Sequence, residues 1–194
     1  MKNIFSIMVV TAILFAACTN GGNTTENKIA ASASDSAISQ TQITAPQPLK
    51  AASVNDIVSA YLNLKNALAA DNANDAAAGG NAIVSAVSGI DTTSFTATQS
   101  RIYNDAIDDI KEHGEHIGAN AKDIAHQREH FDMLSKDMYD LAKGFTGSQT
   151  LYKDYCPMYN DGKGAIWLSE TKEIKNPYLG KKMPTCGSMK EEIK

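Results

Sequence analysis

Apolar residues recur at spacings of three, four and seven between positions 53 and 145, and this pattern constrains the fold more than any other feature. Residues at these spacings lie on one face of an α-helix, so each run predicts an amphipathic helix. Four such runs with short connections predict an all-α fold, an antiparallel four-helix bundle. The apolar sets, in order, are Ile57, Tyr61, Leu64 and Leu68; Ala76, Gly80, Ile83 and Val87; Ile102, Ala106, Ile110 and Ile117; and Ile124, Phe131, Leu134, Met138, Leu141 and Phe145.

Capping residues and glycines define the expected ends of these helices. Ser53-x-x-Asp56 is a variant capping box at the start of the first helix, and the second is expected over Asp75–Ser88. The third begins near Thr96, and the fourth is expected over Asn120–Lys143 with Asn120 as its cap. Two adjacent glycines weaken the second helix by about 1 kcal/mol each, but small residues also allow a neighbouring backbone to approach closely.

The chain begins with a segment typical of an exported bacterial lipoprotein. Lys2 precedes a short apolar run, Ile4 to Ala17, which is too short to span a bilayer comfortably and ends in small residues. Phe15-Ala16-Ala17-Cys18 resembles a lipobox, in which the cysteine is lipidated and becomes the mature N-terminus. We therefore expect residues 1–18 to be a signal peptide that leads to membrane anchoring through acylated Cys18. The alternative is a simple cleavable signal in which Cys18 is incidental.

Residues 19–52 are expected to form a disordered tether. They are rich in Asn, Thr, Ser, Ala and Gln and have no sustained apolar period. The rest of the chain is long enough for one compact domain, with the helical bundle at 53–146 and an extension packed on it at 147–194. The net charge is −4 and no basic run is present, which argues against nucleic-acid binding.

Two cysteines, each with a methionine nearby, bracket the centre of this C-terminal extension: Cys156 with Met158, and Met183 with Cys186. Turn residues between the two pairs predict an irregular or short β-hairpin-like excursion that brings the pairs together. Thiolate and thioether sulfurs are soft donors that suit a soft ion such as Cu(I). In an exported protein the same two cysteines can instead form a disulfide, with the methionines as ordinary packing residues.

All four histidines lie at one end of the third and fourth helices. His126 and His130 are one turn apart, so both can reach one ion or one carboxylate, and His113 and His116 can approach them from the third helix. Without the C-terminal cysteines we would interpret these residues as surface histidines. Because His130 lies at the edge of the apolar stripe, it is the better candidate for a ligand that completes a site with the sulfur residues.

The chain resembles a domain-of-unknown-function family of Gram-negative exported lipoproteins, which is also found at the C-terminus of some heavy-metal efflux adaptor proteins. The resemblance covers roughly residues 53–192. It rests on Gln127-Arg128-x-x-Phe131, Leu134-Ser135, Tyr155-Cys156-Pro157-Met158, Gly164-Ala165-x-Trp167-Leu168-Ser169, Ile174-x-Asn176-Pro177-Tyr178-x-Gly180 and Met183-x-x-Cys186-Gly187.

What this resemblance implies is copper or related heavy-metal handling in the cell envelope. Cys156, Met158, Met183 and Cys186 then carry over as metal-binding residues, and His130 is added by its position alone. The expected protein is a Cu(I) chaperone or buffer, anchored at the outer membrane facing the periplasm, with an efflux adaptor or transporter as its partner.

A second class of function stays open, a disulfide-stapled structural or interaction domain of the envelope without metal. Spacing alone favours the disulfide, whereas the methionine beside each cysteine and the resemblance favour the metal. The sequence contains no Gly-x-Ser-x-Gly, His-Glu-x-x-His, P-loop or dinucleotide-binding glycine motif. We therefore do not expect an enzyme.

Overall fold

A computed structural model describes residues 52–145 and 149–194 of the chain. The expected signal peptide with Cys18, and nearly all of the expected tether, lie outside these residues. Within them no helix is long and apolar enough to cross a membrane. The elements are α1 (Val54–Ala69), α2 (Ala73–Ser88), α3 (Ala97–Ala119), α4 (Ile124–Gly144), β1 (Leu151–Cys156), β2 (Ala165–Ser169), a single 3₁₀ turn (Gly180–Lys182) and β3 (Ser188–Ile193).

The four helices begin close to where the sequence predicts. Asp56 accepts a hydrogen bond from the backbone N–H of Ser53 (2.7 Å), as expected of the capping box that starts α1. The expected cap of α4 is wrong by three residues. The Asn120 amide donates to the His116 carbonyl (2.8 Å) and so closes α3, while Asp123 accepts from the backbone N–H of His126 (3.0 Å) and caps α4.

Each helix packs chiefly against the one that follows it in the chain, which is the neighbour order of an up-and-down bundle. The two adjacent glycines of α2 face different neighbours. A Cβ at Gly79 would lie 2.8 Å from the Leu64 Cβ of α1, and one at Gly80 would lie 2.6 Å from the Gly114 carbonyl oxygen of α3. Glycine therefore allows α2 to lie close to both helices at once, at the cost of helix propensity.

The expectation of a purely all-α fold is wrong, because residues 151–193 form a three-stranded antiparallel sheet in the order β2-β1-β3. The β1–β2 hairpin agrees with the expected short hairpin-like excursion. The third strand was not foreseen, since Ser188–Ile193 is mostly polar and exposed and lacks apolar alternation. It is a strand because it pairs with β1, with Tyr155 opposite Ser188 and Leu151 opposite Ile193.

The sheet packs on the helices through buried side chains of both regions. The backbone N–H of Leu168 in β2 donates to the Tyr61 hydroxyl (3.0 Å), which also lies 2.8 Å from the Ser135 hydroxyl of α4. Trp167 and Phe131 are fully buried and belong to one continuous core that spans helices and sheet. The C-terminal extension is thus held against α1 and α4.

Candidate functional site

The two cysteines of the C-terminal extension are brought together by strand pairing. Cys156 is the last residue of β1, and Cys186 lies two residues before β3, which pairs with β1 in antiparallel register. Their Sγ atoms are 3.4 Å apart, and both are free thiols. Cys156 is fully buried, whereas Cys186 is partly accessible, so a ligand or an oxidant can approach the pair from the Cys186 side.

The loop that carries Cys186 is held by one buried side chain. The Asn176 amide donates to the Cys186 carbonyl (2.6 Å), and its backbone N–H donates to the Pro184 carbonyl (2.8 Å). Its side-chain oxygen accepts from the N–H groups of Tyr178 and Leu179, both at 2.8 Å. Because this amide has partners on both sides of the loop, it fixes the position of Cys186 relative to β1.

Gly187 allows the chain to pass over the indole ring beneath it. Its φ is +147°, and a Cβ there would lie 2.8 Å from Trp167. A side chain at this position would be strained and would also displace the segment that carries Cys186. Glycine next to the second cysteine is therefore a requirement of the site's geometry.

The Cys156 thiol influences the ionisation of Cys186. The pKa of Cys186 is raised, first by its hydrogen bond with the Cys156 thiol and then by burial, while the backbone N–H of Met158 acts in the opposite direction. A pair of adjacent thiols gives up its first proton more readily than its second, because two thiolates repel. A metal cation placed between them would offset that repulsion.

Both methionines lie at the surface beside this pair. The Met158 side chain is 59% exposed and the Met183 side chain 38%. The backbone of each contacts Cys186, since the Met158 N–H faces its sulfur and the Met183 carbonyl accepts from its N–H (3.2 Å). The thioether groups make no hydrogen bond to the thiols among the described residues. Both side chains are accessible to solvent.

His130 faces a different part of the molecule. Two positions along a helix rotate a side chain by about 200°, so His130 lies on the opposite side of α4 from Arg128, whose Nε donates to the Pro177 carbonyl of the C-terminal extension (2.7 Å). Tyr139 also lies away from His130 and donates to Glu191 of β3 (2.6 Å). The contacts of His130 are with α3: its Nδ1 is 3.2 Å from that of His113.

The four histidines form one cluster between α3 and α4. The rings of His116 and His130 are stacked at 4.3 Å between centroids, and the His126 ring meets that of His130 edge-on at 4.6 Å. One ligand nitrogen from each of these three lies within 4.8 Å of the others. Desolvation lowers the pKa of His113 and of His130, and the neighbouring imidazoles add to this effect at His130. The imidazoles of His113 and His130 therefore favour the neutral form, which is the form that can bind a metal.

The α4 residues that carry part of the family resemblance have structural partners. The buried Gln127 amide nitrogen donates to the carbonyls of Ala73 (2.9 Å) and Ile117 (3.2 Å), while its side-chain oxygen has no hydrogen-bond partner among the described residues. The Arg128 Nη2 donates to the Leu68 carbonyl (2.9 Å) and to the Asp71 carboxylate (2.6 Å). These two residues hold the helix ends and the C-terminal extension together.

Two buried charged groups were missed by sequence reasoning. Lys65 of α1 is fully buried and donates to Glu170 at the end of β2 (2.7 Å). Asp154 of β1 is also fully buried, and neither of its carboxylate oxygens has a hydrogen-bond partner among the described residues. Burial raises the pKa of Asp154 to about 7, and Lys65 only partly opposes this. No local pattern signals either group, because each occupies a position that only the packed sheet buries.

A family model described as "Protein of unknown function (DUF3347)" matches residues 57–150. The match begins within α1, covers α2, α3 and α4 and ends before β1, so it includes the histidines and neither Cys156 nor Cys186. The similarity shown is thus shorter than the resemblance inferred from the sequence over residues 53–192. No curated protein and no solved structure matches the chain.

Proposed function

We propose that this protein is a heavy-metal-binding domain of the cell envelope, which binds one Cu(I) ion through Cys156 and Cys186. The observation that carries the proposal is the 3.4 Å separation of the two free thiols. Two sulfur ligands on one tetrahedral ion, at metal–sulfur bonds of ~2.3 Å, would be ~3.8 Å apart. Small side-chain movements are therefore enough to place both sulfurs on one ion.

The two methionines support a soft ion in particular. Large apolar side chains that are exposed beside a thiol pair have little packing role, whereas thioethers bind Cu(I) without having to lose a proton. Met158 and Met183 are both accessible and both belong to the turns that hold Cys186. They can complete a site with three or four sulfur ligands, in which the thiolates supply the negative charge.

The wider role follows from the N-terminal sequence and the family resemblance. Acylation of Cys18 would anchor the chain to the membrane, and the segment 19–52 would let the domain reach into the periplasm. A domain so placed would buffer Cu(I) or pass it to an efflux adaptor or transporter. Replacement of Cys18 with Ser should move the protein from the membrane fraction to the soluble fraction. Unchanged fractionation would argue against the anchor.

The metal proposal is tested by anaerobic competition of the reduced protein against a chromophoric Cu(I) chelator. The wild type should bind one equivalent, and Cys186→Ser should weaken binding at least about 100-fold because one thiolate is lost. Cys156 is buried, so Cys156→Ser also requires a thermal melt to show that it folds. If the wild type competes no better than the variant that lacks both cysteines, the proposal fails.

The same sulfur separation favours a second candidate, a disulfide-stapled interaction domain. The thiols need to approach by little more than 1 Å to reach the bond length of ~2.05 Å. A disulfide across this loop would stabilise the fold by about 3–4 kcal/mol in the chain-entropy model. Thiol counting on protein isolated without reductant distinguishes the two. If freshly isolated protein has no free thiol at Cys156 and Cys186, the disulfide-stapled interaction domain is favoured.

A further inference from the structure

The histidine cluster, formed by His113 and His116 of α3 and by His126 and His130 of α4, has the geometry of a three-nitrogen metal site. One ligand nitrogen from each of His116, His126 and His130 lies within 4.8 Å of the other two. Three nitrogens around a tetrahedral ion at bonds of ~2.0–2.1 Å are ~3.4 Å apart. The difference is at most about 1.4 Å for each pair of nitrogens, within the reach of small rotations of partly exposed side chains.

In each of these three rings one nitrogen lies near a group that can orient it. The Nε2 of His116 is 3.9 Å from Glu112, and the Nδ1 of His126 is 3.6 Å from Glu129. The Nδ1 of His130 is 3.2 Å from the Nδ1 of His113. The other nitrogen of each ring has no hydrogen-bond partner in the described part of the chain. Imidazoles that bind metals commonly have their second nitrogen held by a carboxylate or another acceptor. The carboxylates of Glu112 and Glu129 lie just beyond hydrogen-bond distance, so small rotations of the side chains would allow them to take this part.

We propose that this cluster is a second metal site, separate from the cysteine pair, which binds one divalent ion of the borderline class. His116, His126 and His130 are the ligands, and His113 is a positioning residue that holds His130. Neutral imidazoles suit Zn(II), Cu(II) and Ni(II), whereas Cu(I) is better served by sulfur. The carboxylates of Glu112 and Glu129 compensate the charge of the ion without having to bind it.

The site joins two rigid elements, which limits the ordering that binding requires. His126 and His130 project from one face of α4 at a spacing of four, and His116 approaches from the antiparallel partner helix. Three protein ligands leave a fourth position of a tetrahedral ion for water or another ligand. This inference does not rest on the proposed Cu(I) function, since it uses no residue of the C-terminal extension.

The test uses the full chain with Cys18, Cys156 and Cys186 replaced by serine, so that no thiol contributes. Zn(II) is titrated in competition with a chromophoric chelator, and Co(II) is added separately for its visible absorption bands. We expect one equivalent of Zn(II), a Co(II) spectrum of four-coordinate type, and tighter binding of Cu(II) than of Zn(II). Zn(II) should also raise the midpoint of thermal unfolding.

Single substitutions assign the roles within the site. H116Q and H126Q should each weaken Zn(II) binding at least about 100-fold. H116Q is well suited to this test because the His116 side chain is about half exposed, and a thermal melt checks that the variant is folded. H113A should weaken binding about 10-fold without changing the stoichiometry, and H113N should recover part of the loss by restoring a hydrogen-bonding group beside His130.

A matched pair of glutamates separates a specific role from general negative charge. Glu129→Gln removes a carboxylate 3.6 Å from His126 and should weaken Zn(II) binding about 10-fold. Glu115→Gln removes another exposed carboxylate, on α3, that pairs with Lys111, and it should have no effect. The inference is overturned if H116Q and H126Q bind Zn(II) as tightly as the parent chain, or if the parent chain binds no better than a variant without histidines. Cu(I) binding by protein with intact cysteines is measured separately, so either proposal can fail alone.

Discussion

The cysteine pair and the histidine cluster are built in opposite ways, although each gathers side chains of a type that can bind metals. The cysteines are 30 residues apart and meet because β1 and β3 pair, with Asn176 holding the loop between them. The histidines come as two local pairs, one on each of two consecutive helices, and they meet because those helices are antiparallel neighbours. One site depends on long-range pairing, and the other depends mainly on helix geometry.

The cysteine pair and the histidine cluster also differ in their chemistry. The thiol pair has one fully buried member, is soft, and can be oxidised. The histidine cluster is partly exposed, is composed of nitrogen donors of borderline softness, and does not respond to thiol oxidants. We therefore expect the two regions to respond independently to oxidation, to local packing changes and to substitution.

The largest difference between the two regions is expected on oxidation, which should change the cysteine pair and leave the histidine cluster as it is. A diazene oxidant such as diamide takes two electrons and two protons from Cys156 and Cys186, which become a disulfide while the diazene becomes a hydrazine. Cu(I) affinity should then fall at least about 100-fold, because no thiolate remains, while Zn(II) binding to the histidines should stay unchanged. Both affinities are measured before and after oxidation. Equal loss of Zn(II) binding would contradict the independence of the two sites.

Asp154 should make the stability of the sheet region depend on pH. Its folded pKa of about 7 is higher than the unfolded value of ~3.9, so the folded state binds more protons between these values and stability falls as pH rises from 4 to 7. Between pH 4 and pH 7 the unfolding free energy of the wild type, measured in urea, should fall by about 2–4 kcal/mol more than that of Asp154→Asn. The exposed turn variant Asp161→Asn is the control. Parallel pH profiles for the wild type and Asp154→Asn would show that the folded pKa of this carboxyl is not raised above its unfolded value.

Gly80→Ala should act on the helices that carry the histidines. Its Cβ would lie 2.6 Å from the Gly114 carbonyl, so α2 and α3 must separate, at a cost of about 1–3 kcal/mol in unfolding free energy. Gly89→Ala has no atom closer than 3.5 Å and serves as the control. Because Gly114 adjoins His113, Zn(II) affinity should fall in the folded Gly80→Ala protein while Cu(I) affinity should not. A parallel loss of both affinities would mean that the helices and the sheet respond as one unit.

The smallest effect is expected from the methionines. Replacement of both Met158 and Met183 with leucine should weaken Cu(I) binding about 10-fold and leave the melting temperature unchanged, because both side chains are exposed. Met133→Leu and Met189→Leu, at 39% and 44% exposure, form the matched control. Cu(I) competition and thermal melts measure both quantities. Equal Cu(I) affinity in the two double variants would remove the methionines from the site.

The helices and the local spacing of the histidines were determined by the sequence alone. The Ser53 capping box, the apolar stripes and the glycines that end helices all act within a few residues, because the hydrogen bonds of a helix are local. The same locality placed His126 and His130 one turn apart. An error of three residues at the start of α4 arose because Asn120 and Asp123 are both competent caps, and only the observed turn assigns Asn120 to the end of α3.

The third strand, its pairing with β1 and the direction of His130 were decided by the tertiary structure, whereas the turn residues had already predicted that Cys156 and Cys186 approach each other. The polar segment Ser188–Ile193 becomes a strand through pairing with β1, whose residues lie more than thirty positions earlier. His130 faces α3 because the opposite side of α4 is occupied by the contacts of Arg128 and Tyr139 with the C-terminal extension. Such contacts depend on which surfaces remain after the helices have packed, and no local pattern of residues encodes that.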